Sequence, residues 1–182
     1  MNMQKMNRRT VIRNVLFFSA GAVLVPSCVH EEGRSTIPLK NISLSGEQEK
    51  LMKSLTETII PKTATPGAND LSAHLFVLMM VDECQPKDNQ QKFMKGMDQF
   101  EALAKKQTGN RFAESTAAQK AALLTNIENK KDIPEELSAF YNLTKRLTIQ
   151  SFTSSQYFLT KIQVYEMAPG RYHGCVPVKA NS

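Results

Sequence analysis

The chain has 182 residues, 23 of them basic and 17 acidic, for a formal net charge of +6. Four of the basic residues, Lys5, Arg8, Arg9 and Arg13, precede Cys28 with no acid among them, so the remainder holds 19 basic against 17 acidic residues. So even a balance gives no electrostatic footprint for nucleic acid, and about 155 residues suffice for one domain with a single core but not for two.

The chain opens with Asn7-Arg8-Arg9-Thr10-Val11-Ile12-Arg13, continues with an apolar run over residues 15–25 and closes that run on Pro26-Ser27-Cys28. At about 11 residues the run is too short for a membrane span of roughly 20, and it matches the apolar region of a signal peptide. Arg8 and Arg9 fit a twin-arginine signal, the export route of proteins that leave the cytoplasm folded. Thr10 and Arg13 agree with that pattern and Val11 and Ile12 only with its apolar character, which leaves an ordinary secretory leader as the alternative. Val25-Pro26-Ser27-Cys28 resembles a bacterial lipobox, with Pro26 an unusual member, in which the cysteine is lipidated and becomes the mature N-terminus. These features predict a signal over residues 1–27, a lipid on Cys28 as membrane anchor, and a periplasmic location. Residues 28–44 have no helical or strand period and predict a flexible tether, with His30, Glu31 and Glu32 solvated rather than metal-bound.

Ser45-Gly46-Glu47-Gln48 predicts a capping box opening a helix, which Leu51, Met52, Leu55 and Ile59 continue on one face until Pro61 stops it. Pro66-Gly67 suits the central pair of a type II turn. Asp70 is the expected N-cap of a second helix through Cys84, apolar on nearly all sides and therefore expected at the centre of the core, with His74 solvated or hydrogen-bonded and Met79-Met80 structural. Phe93, Met97, Phe100 and Leu103 form one stripe of a third helix ending near Gly109. Thr116 and Gln119 form a second capping box before Leu123, Leu124 and Ile127. Pro134 suits the first position of a long helix through Leu137, Phe140, Leu143 and Leu147, which Thr153-Ser154-Ser155 interrupts before a last helix over residues 157–165. The expected fold is all-α: a single compact domain of five or six helices over residues 45–182, with an irregular C-terminal tail.

Four segments in this order carry a family resemblance: Thr58-Ile59-Ile60-Pro61, Thr65-Pro66-Gly67-Ala68, Asp82-Glu83-Cys84, and the closing Pro169-Gly170-Arg171-Tyr172-His173-Gly174-Cys175-Val176-Pro177. Together with the leader they are similar to the gluconate 2-dehydrogenase subunit 3 family. The resemblance implies a small non-catalytic subunit of a periplasmic dehydrogenase. Its large subunit would be an FAD flavoprotein of the glucose-methanol-choline type, exported with it, and a haem-bearing cytochrome often takes the electrons. The chain itself has no dinucleotide fingerprint, no Cys-x-x-Cys-His for haem and too few cysteines for an iron–sulfur cluster, so no catalytic, cofactor or metal residue is assigned to it. Pro61, Pro66, Gly67, Pro169, Gly170, Arg171 and Tyr172 are expected to contribute to the partner interface, with Arg171 and Tyr172 as anchors, because Arg and Tyr are enriched at interfaces.

Two alternatives stay open: an enzyme site built from Glu166, Arg171, Tyr172 and His173, and a stand-alone lipoprotein binding module with no redox partner. Lipidation of Cys28 would leave Cys84 and Cys175 as an even pair in an oxidising compartment. They are expected to form a disulfide closing a loop of about 90 residues, for which the chain-entropy model gives roughly 4 to 5 kcal/mol; the alternative is two buried free thiols.

Overall fold

A computed structural model describes residues 37–129, 133–163, 170 and 175. Arg8, Arg9, Cys28, the segment from His30 to Glu32, Pro169, and the stretch from Arg171 to His173 lie outside the described residues, as does Glu166. The described chain forms α1 (Gly46–Ile59), α2 (Ala73–Cys84), α3 (Lys87–Thr108), a 3-10 turn (Phe112–Glu114), α4 (Ala117–Asn129), α5 (Glu135–Thr153) and a π-helical turn (Phe158–Ile162). No strand occurs among the described residues, which belong to one compact unit, and the all-α domain is as the periodicity predicts.

Both capping boxes are present. Ser45 Oγ accepts from the Gln48 N–H at 3.2 Å while Gln48 Oε1 accepts from the Ser45 N–H at 3.0 Å, and Thr116 and Gln119 make the same exchange at the start of α4. α1 ends before Pro61, with Ile60 displaced from the helical region at φ −128° and ψ 85°. Gly109 closes α3 with φ 78°, in the left-handed region where glycine carries no Cβ penalty. α5 stops at Thr153, as the Thr-Ser-Ser run predicts. Of the last helix expected over residues 157–165, only the π-helical turn lies among the described residues.

The packing centre is the crossing of α3 and α5, the most extensive contact between elements. Phe93, Met97, Phe100 and Ala104 of α3 meet Leu137, Phe140, Tyr141 and Leu147 of α5 in the buried core. Phe140 lies 4.9 Å from Phe93 and 5.7 Å from Phe100 between ring centroids, and Phe100 meets Phe112 of the 3-10 turn edge-on at 5.0 Å. Gly96 permits this approach: a Cβ there would drive into the Glu136 carbonyl oxygen and lie 2.6 Å from Phe140 Cβ. An added methyl at such a contact costs about 1–3 kcal/mol. Beside it, Lys95 bonds Glu136 and holds its carboxyl at about 2, a gain that solvent screens at this exposed rim.

α2 corrects its expected place. Ala73, His74, Val77, Leu78, Val81 and Asp82 turn inward, but Met79 is 52% exposed, so the helix flanks the core rather than threading it. An apolar run alone does not say which side is covered. The same helical spacing leaves Cys84 on the solvent side of the last turn. Cys84 and Cys175 are both exposed free thiols, and the expected disulfide is not formed. His74 is also corrected: it is buried against α1, and its Nδ1 has no hydrogen-bond partner. Burial lowers its pKa, Lys53 adds to the shift and Glu49 opposes it, so the imidazole is neutral near pH 7.

The predicted tether is docked where it can be described. Ile42 is buried and Ile37, Leu39 and Leu44 pack against the core. The anchor is Asp82, only 2% exposed. Its Oδ2 accepts from the Lys40 N–H at 2.9 Å, and its Oδ1 from the N–H groups of Asn41 and Ile42 at 2.7 and 2.8 Å. Gln90, buried at the start of α3, donates to the carbonyls of Val81, Asp82 and Gln85 and so caps the end of α2. Burial works to raise the Asp82 carboxyl, but the three N–H donors and Lys40 outweigh it and hold it below the ordinary aspartate value.

With its folded pKa depressed, Asp82 contributes stability that is fully present above the ordinary aspartate value and is lost as pH falls through the lower folded value. Asp82→Asn is expected to cost about 1.5–3 kcal/mol at pH 7. Denaturant titrations at pH 7 and below about pH 4 should show the gap between wild type and variant narrowing in acid; a pH-independent gap would contradict the charged clamp.

Candidate interaction surface

The segment joining α1 to α2 is irregular, yet it is tied down at almost every residue. Glu57 stands in the last turn of α1, where the helix dipole favours a base and where no basic residue occurs. Its position is explained by the loop it holds: Oε1 accepts from the Lys62 N–H at 3.1 Å and Oε2 from the Asn69 N–H at 2.9 Å. Two bonds from backbone donors to one carboxylate offset the unfavourable dipole. The Ala68 N–H donates to the Ile60 carbonyl and the Ala73 N–H to the Ala68 carbonyl, both at 2.9 Å. Ala68 itself is buried in the core.

Two readings of this loop are corrected by its geometry. Gly67 does not have the positive φ that a type II turn demands. It is required for space: a Cβ would lie 2.7 Å from Lys62 N and 2.9 Å from Glu57 Oε1. Asp70 does not cap a helix starting at Leu71; its carboxylate accepts from the Gly67 N–H and the Lys62 ammonium, each at 3.0 Å. The Lys62 bond is the largest cause of the lowered Asp70 pKa, followed by that from Gly67. α2 instead begins after Ser72, a non-glycine residue at φ 52° with no side-chain cap, so the loop ends on a strained backbone that its other bonds hold in place.

Of the residues expected at a partner interface, the structure brings Pro61, Pro66 and Gly67 into this one loop. Pro61 is exposed with Lys62, Thr63 and Ala64, Pro66 is half-buried, and Gly67 is buried and so supports the loop from within. Gly170 is exposed, while Pro169, Arg171 and Tyr172 lie outside the described residues. Behind Pro61 a cleft of about 670 Å³ opens between α1 and the start of α4, lined by Lys50, Lys53, Ser54, Glu57, Lys120 and a set of alanines. Among the described residues no group of three His, Cys, Asp or Glu side chains could hold a metal ion, and no helix is long and apolar enough to cross a membrane.

The model of the family described as gluconate 2-dehydrogenase subunit 3 matches residues 46–170. The chain belongs to the gluconate 2-dehydrogenase subunit 3 family. As a member it is a small subunit of a multi-subunit dehydrogenase complex. No curated protein and no solved structure shows a significant match. In this subunit 3 chain the match takes in the loop from Pro61 to Ala68 and the Asp82-Glu83-Cys84 end of α2, and stops before Arg171.

Sequence reasoning missed Glu57 and the lysines of the cleft. One local signal for Glu57 was visible: an acid in a helix's last turn, just ahead of a proline, where the dipole argues against it. Lys53 and Lys120 are separated by a long stretch of chain, and only the packing of α4 beside α1 brings them together.

If Glu57 organises the loop, Glu57→Ala should expose the amides of Lys62 and Asn69 to faster hydrogen exchange, by about one to two powers of ten for a loss of 1–3 kcal/mol. Amides of α3 and α5 should keep their protection. Unchanged exchange at both loop amides would show that the carboxylate does not hold them.

Proposed function

We propose that this chain is the non-catalytic small subunit of a periplasmic, FAD-dependent sugar or gluconate dehydrogenase of the glucose-methanol-choline type, and that it supports export, maturation and stability of the flavoprotein. The observation that carries this reading is the family match over residues 46–170. The paired Arg8-Arg9 on a chain without a cofactor motif supports it. A flavin is inserted into a folded large subunit, and a folded complex calls for the twin-arginine route, so one leader can serve both chains. In the same reading Cys28 is lipidated and tethers the complex to a membrane, and a cytochrome subunit takes the electrons. One acyl-bearing anchor suits a subunit that has no membrane-crossing helix among its described residues.

The fold supports the non-catalytic role by its construction. At the loop, the Glu57 and Asp70 carboxylates are spent on holding backbone rather than left poised for proton transfer. A helical body with a well-held irregular loop is suited to binding a folded partner with little ordering cost.

Replacing Arg8 and Arg9 together with lysine is expected to leave both this chain and the flavoprotein in the cytoplasm, with periplasmic dehydrogenase activity lost. Fractionation and activity assays read the outcome. Active flavoprotein in the periplasm of the variant strain would refute export through this subunit.

A further inference from the structure

The cleft behind Pro61 has a chemistry that the loop alone does not explain. It is lined by the aliphatic residues Pro61, Ala113, Ala117 and Ala121 together with three lysines, Lys50, Lys53 and Lys120. Glu57 is the one carboxylate among the described lining residues, and both its oxygens already accept from the backbone of Lys62 and Asn69. Lys50 is paired with Glu47 on the solvent side of α1. Lys120 is half-buried, donates to the Ala113 carbonyl at 3.0 Å and lies 5.7 Å from the centroid of the Phe112 ring. Burial lowers its pKa with no carboxylate offsetting the shift. Ser54 and Asn69 also line the cleft, with Ser54 Oγ and Asn69 Oδ1 buried behind its surface and without hydrogen-bond partners.

We propose that this cleft is a docking site for a segment of the dehydrogenase large subunit that presents an aspartate or glutamate beside an aliphatic side chain. The carboxylate meets Lys53 and Lys120, while the aliphatic group covers the alanines. The proposal rests on the chain being the small subunit of such a complex. Charge complementarity identifies the class of occupant: a net positive lining takes an acid, and positive and negative patches facing each other set register and speed encounter. A free phosphate or a small carboxylate would satisfy the lysines but leave Pro61, Ala113, Ala117 and Ala121 in water, whereas a peptide segment uses both. The cleft is also continuous with the exposed Pro61 end of the loop, so one partner surface can cover the two together.

The test uses the co-expressed, intact complex treated with a carbodiimide, which joins a lysine amine directly to a carboxylate with no spacer. Digestion and mass spectrometry are expected to find Lys53 or Lys120 joined to an aspartate or glutamate of the large subunit. Reversing both charges, Lys53→Glu with Lys120→Glu, is expected to lower the large subunit retained on the tagged small subunit about tenfold or more, while Lys87→Glu, exposed at the opposite, N-terminal end of α3, has little effect. Circular dichroism checks that the variant keeps its helices, and the neutral pair Lys53→Gln with Lys120→Gln replaces it if it does not. A complex that forms normally, cross-links only through other lysines and tolerates both sets of changes overturns the docking site. So does saturable binding of inorganic phosphate at Lys120 with no effect of the variants on the complex, which would make the cleft a small-anion site. Failure of the wild-type chain to retain any large subunit would instead refute the subunit reading itself.

Discussion

The backbone of α3 at Gly96 lies against the carbonyl of Glu136 and the Cβ of Phe140, and the rest of the domain depends on that approach. With the two longest helices this close, Phe93, Phe100 and Phe140 reach one another across the crossing and Phe112 closes the row from the 3-10 turn. Ring pairs at such separations add about 0.5–1.5 kcal/mol each beyond the area they bury. α1 and α2 then pack on the frame that α3 and α5 make, and α4 settles against α1 and α3. A side chain at position 96 would push the crossing apart and loosen each of these in turn.

Onto that frame the irregular segments are fastened by single carboxylates that accept from backbone N–H groups. Asp82 receives three from residues 40–42, and Glu57 receives two from the loop between α1 and α2. Such bonds to a charged acceptor are roughly twice as strong as neutral ones. They order the strap ahead of α1 and the loop after it without adding regular structure. The consequence is that the irregular family segment between α1 and α2 is tied to the helical body by backbone bonds to Glu57, next to a cleft lined by lysines.

Features set by neighbouring residues were legible in the sequence. Ser45 with Gln48, Thr116 with Gln119, the stop at Pro61 and the glycine cap at Gly109 all follow from contacts within a turn, and each stands where its pattern places it. Features set by distant residues were not. Gly96 sits in a helical stretch with nothing to show that a second helix lies against it. Gly67 invited a turn reading because φ > 0 is the commoner reason for glycine after proline, whereas the structure needs its missing side chain. The apolar run of α2 gave its burial but not its open side, which leaves Met79 and Cys84 in solvent and Cys84 without a partner. The strap of residues 37–44 read as a tether because its order comes from Asp82, some forty residues on.

The claim that this chain is a structural partner and not itself the dehydrogenase is tested most directly by purifying it from producing cells through a tag on the chain and assaying the eluate before and after separation of the subunits. The proposed function predicts a stoichiometric flavoprotein in the eluate, with flavin absorbance and sugar-dependent reduction of an artificial acceptor following that subunit and absent from the separated small chain. Turnover by the isolated small chain, or its purification as an active species with no flavoprotein attached, would contradict it.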